Sequence, residues 1–276
     1  MNNYETNDLA EDYKGLLEEV VKWGDEVSPR GKKTKELLGF HMKLTDPRRA
    51  LVRGCNRKIS VPVAAAEALQ LVGGFSDPAA MLKVSPHFSV FLDGGVFHAP
   101  YGPRIAPQLP KALARLVADP DTRQAHVAVW DVMQDLYTDN TRDYPCTTAM
   151  QFMIRDGKLD LHVHMRANDG WRGFPYDVFQ FTQLQLAAAA FLNRPVGSYY
   201  HNATSFHLYE DNWEMVEGLE SSSQPALSGV TVAMPKAWSD VQDRARGLFY
   251  GTADYPAGGE HVMDNALRRR CIEGAW

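Results

Sequence analysis

The chain reads as a single α+β domain in which mixed strands and helices share one core. Three observations predict this. Apolar residues recur at helical spacing in several long segments. Others alternate with period two, as strands with one buried face do. An Asp-Gly pair joins two such alternating runs into a hairpin. With 276 residues, 45% hydrophobic and 23% charged, the chain has the make-up of an ordinary soluble globular protein with a sizeable core. A net charge of -5 offers no broad basic field for nucleic acid. No run of about 18 apolar residues marks a membrane span, and no signal peptide is recognised. Cys55, Cys146 and Cys271 are odd in number and lack CxxC spacing, which predicts reduced thiols and a cytoplasmic protein with no structural metal.

The elements follow in order. Leu9, Tyr13, Leu16, Leu17, Val20 and Val21 predict an amphipathic helix over about 7–24. "SPRGKK" (28–33) then breaks it as a basic loop. "VPVAAAEALQLVGG" (61–74) predicts an apolar helix ended by a Gly pair, with one acid, Glu67, inside it. "PKALARLVADPDTRQ" predicts a helix that stops before Pro120, and "AHVAVWD" (125–131) a strand. "AMQFMIR" (149–155) and "KLDLHVHMR" (158–166) flank Asp156-Gly157 as the hairpin. "VFQFTQLQLAAAAFLN" (178–193) predicts a long helix and "GSYYHNATSFHLYED" (197–211) a last strand. Beyond about residue 212 little is assigned.

Several residues invite chemistry. Cys146 reads either as a small buried hydrophobe or as a thiolate nucleophile, which needs positive charge nearby. Arg30, Arg123 and Arg166 are the candidate cations, and Arg166 ends the strand that pairs with that of Cys146. Glu67 reads as a solvated acid or, given its apolar neighbours, as one with a raised pKa suited to proton transfer. His207 and Tyr209 share one strand face and read either as surface polar residues or as a hydroxyl-binding pair. "VGGFSD" and "LDGGVF" lack the spacing of a phosphate loop.

Taken in order, "YPCTTAMQF", "GKLDLHVHMRANDGWRGFPYDVFQFTQL" and "SFHLYED" resemble the thymidylate synthase superfamily: Pro-Cys, Gln-Phe, Arg-x-x-Asp-x-x-x-Gly-x-Pro and His-x-Tyr. Weaker echoes lie at Arg30, Glu67, "PYGPR" (100–104) and "DPDTRQAHVAVWD" (119–131). The match covers roughly residues 10–212, and the region from about 213 diverges. The resemblance implies a mixed β-sheet flanked by helices, spanning 1–276 as one catalytic domain. It implies Cys146 as the nucleophile toward C6 of a pyrimidine nucleotide, Glu67 as a proton relay that also meets the folate, and Tyr101 near the reacting centre. Arg30 and Arg166 would clamp the 5′-phosphate, with Arg123 reaching it from the other subunit of a homodimer whose sheets pack back to back. Asp169 would organise folate and base, and His207 and Tyr209 the ribose 3′-hydroxyl. The co-substrate would be 5,10-methylenetetrahydrofolate, with no metal, no nucleic acid and no membrane partner. The final residues, Trp276 among them, either fold over the ligands or stay mobile.

Four positions depart from the synthase pattern: Asp177 for Asn, Ala167 for Ser at a phosphate contact, Gln124 for a second Arg, and Thr147 for the His after the nucleophile. Asp177 carries the most information. Uracil presents a donor at N3 and an acceptor at O4, which an asparagine amide complements; cytosine reverses the pattern. A protonated aspartic acid, or a carboxylate facing an N3-protonated ring, complements cytosine. The same change marks the cytidylate 5-hydroxymethylases of the superfamily, so Asp177 is expected to read cytosine rather than merely cap the helix that follows it. Ala167 opens space near phosphate and sugar, which keeps both CMP and dCMP in view. The alternatives are a cytidylate methyltransferase, a thymidylate synthase proper, and a nucleotide-binding relative without catalysis.

Overall fold

The computed structural model describes residues 2–139, 141–230, 232 and 235–253. Cys271 and Trp276 lie outside the described residues. The N-terminal part runs β1 (Asn2–Thr6), α1 (Leu9–Trp23), β2 (Asp25–Val27), β3 (Thr34–Leu44), α2 (Val61–Gly73) and α3 (Pro78–Val84). A small two-stranded unit, β4 (Leu92–Asp93) and β5 (Val96–Phe97), precedes α4 (Tyr101–Ile105) and α5 (Leu109–Ala118). Then come β6 (His126–Ala128), β7 (Thr147–Arg155), β8 (Lys158–Asp169), α6 (Phe174–Phe191) and β9 (Val196–Tyr209). The helices α7 (Trp213–Glu217) and α8 (Trp238–Phe249) follow in the stretch whose sequence suggested little.

The main sheet has the order β1-β3-β9-β8-β7-β6, with β2 also paired to β3. It is mixed: β1 runs parallel to β3, and β8 parallel to β9, while the other neighbours are antiparallel. The expected α+β class and mixed sheet flanked by helices are what is found. The hairpin turns at Asp156 (φ 50°) and Gly157 (φ 74°), the left-handed pair that a tight two-residue turn needs. The parallel β8–β9 pair requires a crossover, which α6 supplies.

Two departures from the expected elements have clear causes. The chain continues into β3 after the basic loop, but the alternation in "TKELLGFHMKL" breaks in the middle, so a period-two count fails. Its buried positions run Thr34, Leu37, then Phe40, Met42 and Leu44. The same change of parity occurs in β9, from Tyr199, His201 and Ala203 to Phe206 and Leu208, and in β8, from Val163 and Met165 to Asn168. Ladder pairing skips Gly39 opposite Thr204 and Arg166 opposite Thr204, and shifts again between Thr147 and Ala149. The breaks are therefore aligned across the sheet. Gly39, at φ 68°, supplies the one backbone conformation there that an L side chain rarely adopts. On the outer face, a cavity of about 330 Å³ lies along this line, bordered by His41, Thr148, His164, Arg166, Asn202 and Thr204.

The second departure is the start of α6 at Phe174 rather than Val178. Pro175 sits in the first turn, where a missing N–H costs nothing. Phe174 then anchors the helix in an aromatic cluster. Its ring lies edge-on to Phe206 (5.0 Å), His201 (5.1 Å) and Phe40 (6.1 Å), and Phe40 stacks on Phe206 at 4.0 Å. Such pairs add about 0.5–1.5 kcal/mol each beyond area burial. Tyr13 of α1 joins them and donates its hydroxyl to the Gly170 carbonyl at 2.9 Å, tying the helix entry to α1.

On the other side, α4 lies hard against the end of α2. A Cβ on Gly102 would fall 2.5 Å from the Gln70 carbonyl oxygen and 2.6 Å from that of Phe75, both backbone atoms that cannot yield cheaply. Gly102→Ala is expected to cost about 1–3 kcal/mol through this overpacking. A calorimetric melt checks it: an unchanged melting temperature would show that α4 can shift.

Candidate active site

Cys146 stands immediately before β7, and its surroundings are built from α4, β8 and the chain that follows β6. The Tyr101 hydroxyl, at the head of α4, accepts the N–H groups of Cys146 and Thr147, each at 3.2 Å. The Arg166 main chain donates to the Cys146 carbonyl at 2.9 Å. Its side chain donates from Nε to the Pro145 carbonyl at 3.0 Å and brings Nη2 to 3.9 Å from Cys146 Sγ. The ring of Trp130 lies beneath the guanidinium at 5.9 Å. Of the three candidate cations, Arg166 is the one in contact with the thiol. Arg30 acts on it from further off. Arg123 is exposed before β6, its carbonyl accepting from Gln151 Nε2, and no contact among the described residues joins it to Cys146.

The acids lie deeper. Asp177 follows the N-cap by four residues, so it does not cap α6; Gly173 holds that position. Its carboxyl instead accepts from Asn168 Nδ2 at 2.7 Å and from Gln180 Nε2 at 3.2 Å. A Cβ on Gly173 would press on both sides of the first bond, at 3.1 Å from Asp177 Oδ2 and 3.2 Å from Asn168 Nδ2. Glu67, from α2, has an Oε2 atom sealed from solvent with no hydrogen-bond partner among the described residues. Burial drives Asp177 up to about 7, against the pull of Asn168 and Gln180. Burial, then the nearby Asp177, drives Glu67 up to about 8.

Burial likewise pushes up the Cys146 thiol and the Tyr101 hydroxyl, and in Cys146 it outweighs the lowering by Arg166. A ready thiolate in the unliganded chain is therefore not what the surroundings favour. Yet Glu67, Tyr101, Cys146 and Asp177 all keep part of their surface open. These desolvated, partly accessible groups lie close enough to act on one another: Asp177 on Glu67, Tyr101 and Cys146, and Cys146 on Tyr101. Perturbed titratable groups gathered in such a place mark a functional site.

The rim is cationic and aromatic. Asp169 accepts the N–H groups of Trp171 (2.8 Å) and Arg172 (2.9 Å) and pairs in register with His207. Burial raises Asp169 and lowers His207, each partly opposed by the other. His207 lies edge-on to Tyr209 at 5.4 Å. Lys32 and Arg172 flank the Tyr209 ring at 5.6 and 5.2 Å. Arg30 is exposed nearby in sequence, in a single turn at φ 55°. Ala167 is half-exposed opposite Ser205, Gln124 accepts from Arg115 Nη1 at 2.7 Å, and the buried Thr147 hydroxyl has no partner among the described residues. No group of three His, Cys, Asp or Glu side chains is arranged to hold a metal among the described residues, and no described helix is long and apolar enough to cross a membrane.

A family model described as thymidylate synthase matches residues 96–244, more than half of the chain. The chain belongs to the thymidylate synthase family. It is 34% identical over 218 residues to a deoxyuridylate hydroxymethyltransferase of Bacillus phage SP01, covering 73% of this chain and 57% of that protein. A deoxyuridylate hydroxymethyltransferase of Pseudomonas phage M6 is 29% identical over 62% of this chain and 51% of its own length. A thymidylate synthase of Mycoplasma pneumoniae is 28% identical over 49% and 46%. The chain thus spans about half the length of the relatives it matches.

Sequence reasoning about this thymidylate synthase family chain overlooked Asn168, Gln180 and His201, all buried polar residues around Asp177. Asn168, in "RAND", stands nine residues before Asp177, and that spacing carries no local signal of the contact.

Two measurements probe the floor of the cleft. Glu67 keeps its proton in the fold up to about pH 8, whereas the unfolded chain releases it near 4.5. Stability should therefore fall as pH rises through that window. Glu67→Gln should gain melting temperature relative to the parent at pH 8 and much less at pH 5; an equal difference at both would show that Glu67 is not held neutral. Arg166→Met should slow iodoacetamide labelling of Cys146, followed by peptide mass spectrometry at pH 8, because removal of the cation raises the thiol further. Unchanged labelling would place the guanidinium away from Sγ in solution.

Proposed function

We propose that the chain is a folate-dependent one-carbon transferase that hydroxymethylates C5 of a cytidylate, CMP or dCMP. The net reaction joins the nucleotide, 5,10-methylenetetrahydrofolate and water, and yields the 5-hydroxymethyl nucleotide and tetrahydrofolate. In this reading Cys146 adds through sulfur to C6, which makes C5 nucleophilic toward the one-carbon unit. The C5 proton leaves, tetrahydrofolate departs from the attached carbon to give an exocyclic methylene, water adds to that carbon, and the thiolate departs from C6. Phosphate dianion drawn into the rim would meet Arg166 and Arg30, with Arg123 arriving from the second subunit of a homodimer. The guanidinium of Arg166 is in place to stabilise the thiolate. Glu67, neutral near pH 7, is suited to pass protons through water to and from the ring. Asp169 and Tyr101 position the reactants, and His207 and Tyr209 hold the sugar.

The observation that carries the reading is Asp177: a deep, accessible carboxyl with a pKa near 7 that keeps a proton available where the synthase pattern has an amide. Folate as co-substrate is supported by family membership and by the names of the relatives. Those names also favour a second reading, with deoxyuridylate as substrate, since both phage relatives are described as acting on it.

Mass spectrometry decides between them. The protein is incubated with methylenetetrahydrofolate and each of CMP, dCMP, UMP and dUMP. A gain of CH2O on a cytidylate is expected. The same gain on dUMP alone would install the second reading, and a gain of CH2 with dihydrofolate would mean a methylating enzyme. Asp177→Asn should move the preference toward the uracil nucleotide, by about 1–3 kcal/mol of mismatched hydrogen bonding. Release of tritium from C5, abolished in Cys146→Ala, excludes a binding protein without catalysis.

A further inference from the structure

A carboxylic acid does not by itself tell cytosine from uracil. With its proton on one oxygen, it donates to cytosine N3 and accepts from the N4 amino group. With the proton on the other oxygen, it accepts from uracil N3–H and donates to O4. Both arrangements have the same shape. Discrimination therefore requires that the proton be confined to one oxygen, and Asp177 alone has no means to do this.

Behind Asp177 lies a polar chain for which the proposed chemistry has no use. His201, on β9, is fully buried. Its Nε2 lies 3.0 Å from Asn168 Oδ1, and its Nδ1 lies 2.8 Å from the Tyr199 hydroxyl, which is buried as well. Asn168 passes the contact on through Nδ2, which donates to Asp177 Oδ2 at 2.7 Å. The edges of Phe174 and Phe40 hold the imidazole from the sides. Burial, with His41 and His164 adding to it, lowers His201 to about 3, so the ring is neutral and has one donor and one acceptor.

These roles are linked. The buried Tyr199 hydroxyl has no other hydrogen-bond partner among the described residues, so it donates to His201 Nδ1. Nε2 then carries the ring proton and donates to Asn168 Oδ1, which leaves the amide's NH2 toward Asp177. Turning the amide over would set its NH2 against the Nε2–H, leaving buried donors unpaired at about 1–3 kcal/mol each. One bond can be reversed only if the others are.

We propose that Tyr199 and His201, acting through Asn168, are the positioning residues that set base specificity: they hold Asp177 Oδ2 as an acceptor and confine the acid proton to Oδ1. Gln180 Nε2 donates to Oδ1 as well, but at 3.2 Å against the 2.7 Å of Asn168 on Oδ2; the carbonyl oxygen of an acid is the stronger acceptor, so the shorter bond keeps the carbonyl at Oδ2 and the proton at Oδ1. The site then offers a single donor and acceptor order. The inference rests on the reading that Asp177 faces the base edge.

The test compares kcat/KM for cytidylate and uridylate in one protein sample, a ratio that does not depend on how much of the sample is folded. Tyr199→Phe, which removes one oxygen, and His201→Leu should each lower the parent's preference roughly tenfold, about the effect of one lost hydrogen bond. His201→Gln, whose amide can still donate to Asn168 Oδ1, should keep most of it. If Tyr199→Phe and His201→Leu both leave the ratio unchanged while Asp177→Asn moves it, the relay is overturned and the reading of Asp177 stands. If Asp177→Asn leaves the ratio unchanged as well, the base is read elsewhere and both fall. A parent that prefers uridylate overturns the cytosine reading alone, since the relay is then judged by loss of that preference.

Discussion

At Asp177 a carboxyl is withdrawn from water with only neutral donors beside it, and much of the surrounding fold follows from that. Among the described residues its side-chain partners are the amides of Asn168 and Gln180, and no cation pairs with it. An ion pair there would have held the acid ionised. Neutral donors satisfy its oxygens and leave the proton near balance at about 7. Each supporting feature serves this arrangement. The break in β8 turns Asn168 to the inner face, the glycine at position 173 admits the Asn168 bond, and the Phe174 cluster fixes the first turn of α6. An unbroken pleat would have carried Asn168 to the opposite face of the sheet.

Charge in the cleft is layered. Arg30, Lys32, Arg166 and Arg172 have exposed side chains, whereas Glu67 and Asp177 are only partly accessible. Cys146 sits at the boundary. Burial opposes its ionisation and Arg166 assists it, so the balance depends on what else occupies the cleft.

Helices α1, α2, α5 and α6 and the central hairpin were legible because their signals are local: the helical spacing from Leu9 to Val20, the Gly pair closing α2, the Asp-Gly turn. Cys146 and Arg166 were legible as neighbours because a hairpin register sets their proximity. What escaped was non-local. The strand β3 hides behind an alternation broken at Gly39, and the matching breaks on β8 and β9 are visible only once the strands are paired. The start of α6 was read late because Phe174 and Pro175 look like loop until the aromatic cluster is seen around them. His201 looked like one polar residue among several in "SYYHNATS", and nothing in that string says that both of its nitrogens are engaged inside the core.

That last omission bears on how specificity is written into such a chain. An asparagine amide has a fixed order of donor and acceptor once its orientation is set, whereas an aspartic acid can exchange its order by moving one proton. Replacing Asn by Asp therefore gives up a constraint as well as altering a pattern. Such a constraint would have to come from the residues behind the acid; here Asn168, Tyr199 and His201 are buried and in mutual contact, on the strands that precede and follow the helix of Asp177. Chains carrying the same acid with different residues at 168, 199 and 201 would present a different edge to the base. The distance between a cytidylate and a uridylate enzyme is then set by a hydrogen-bond direction, and the named activity of a relative about one-third identical does not determine it.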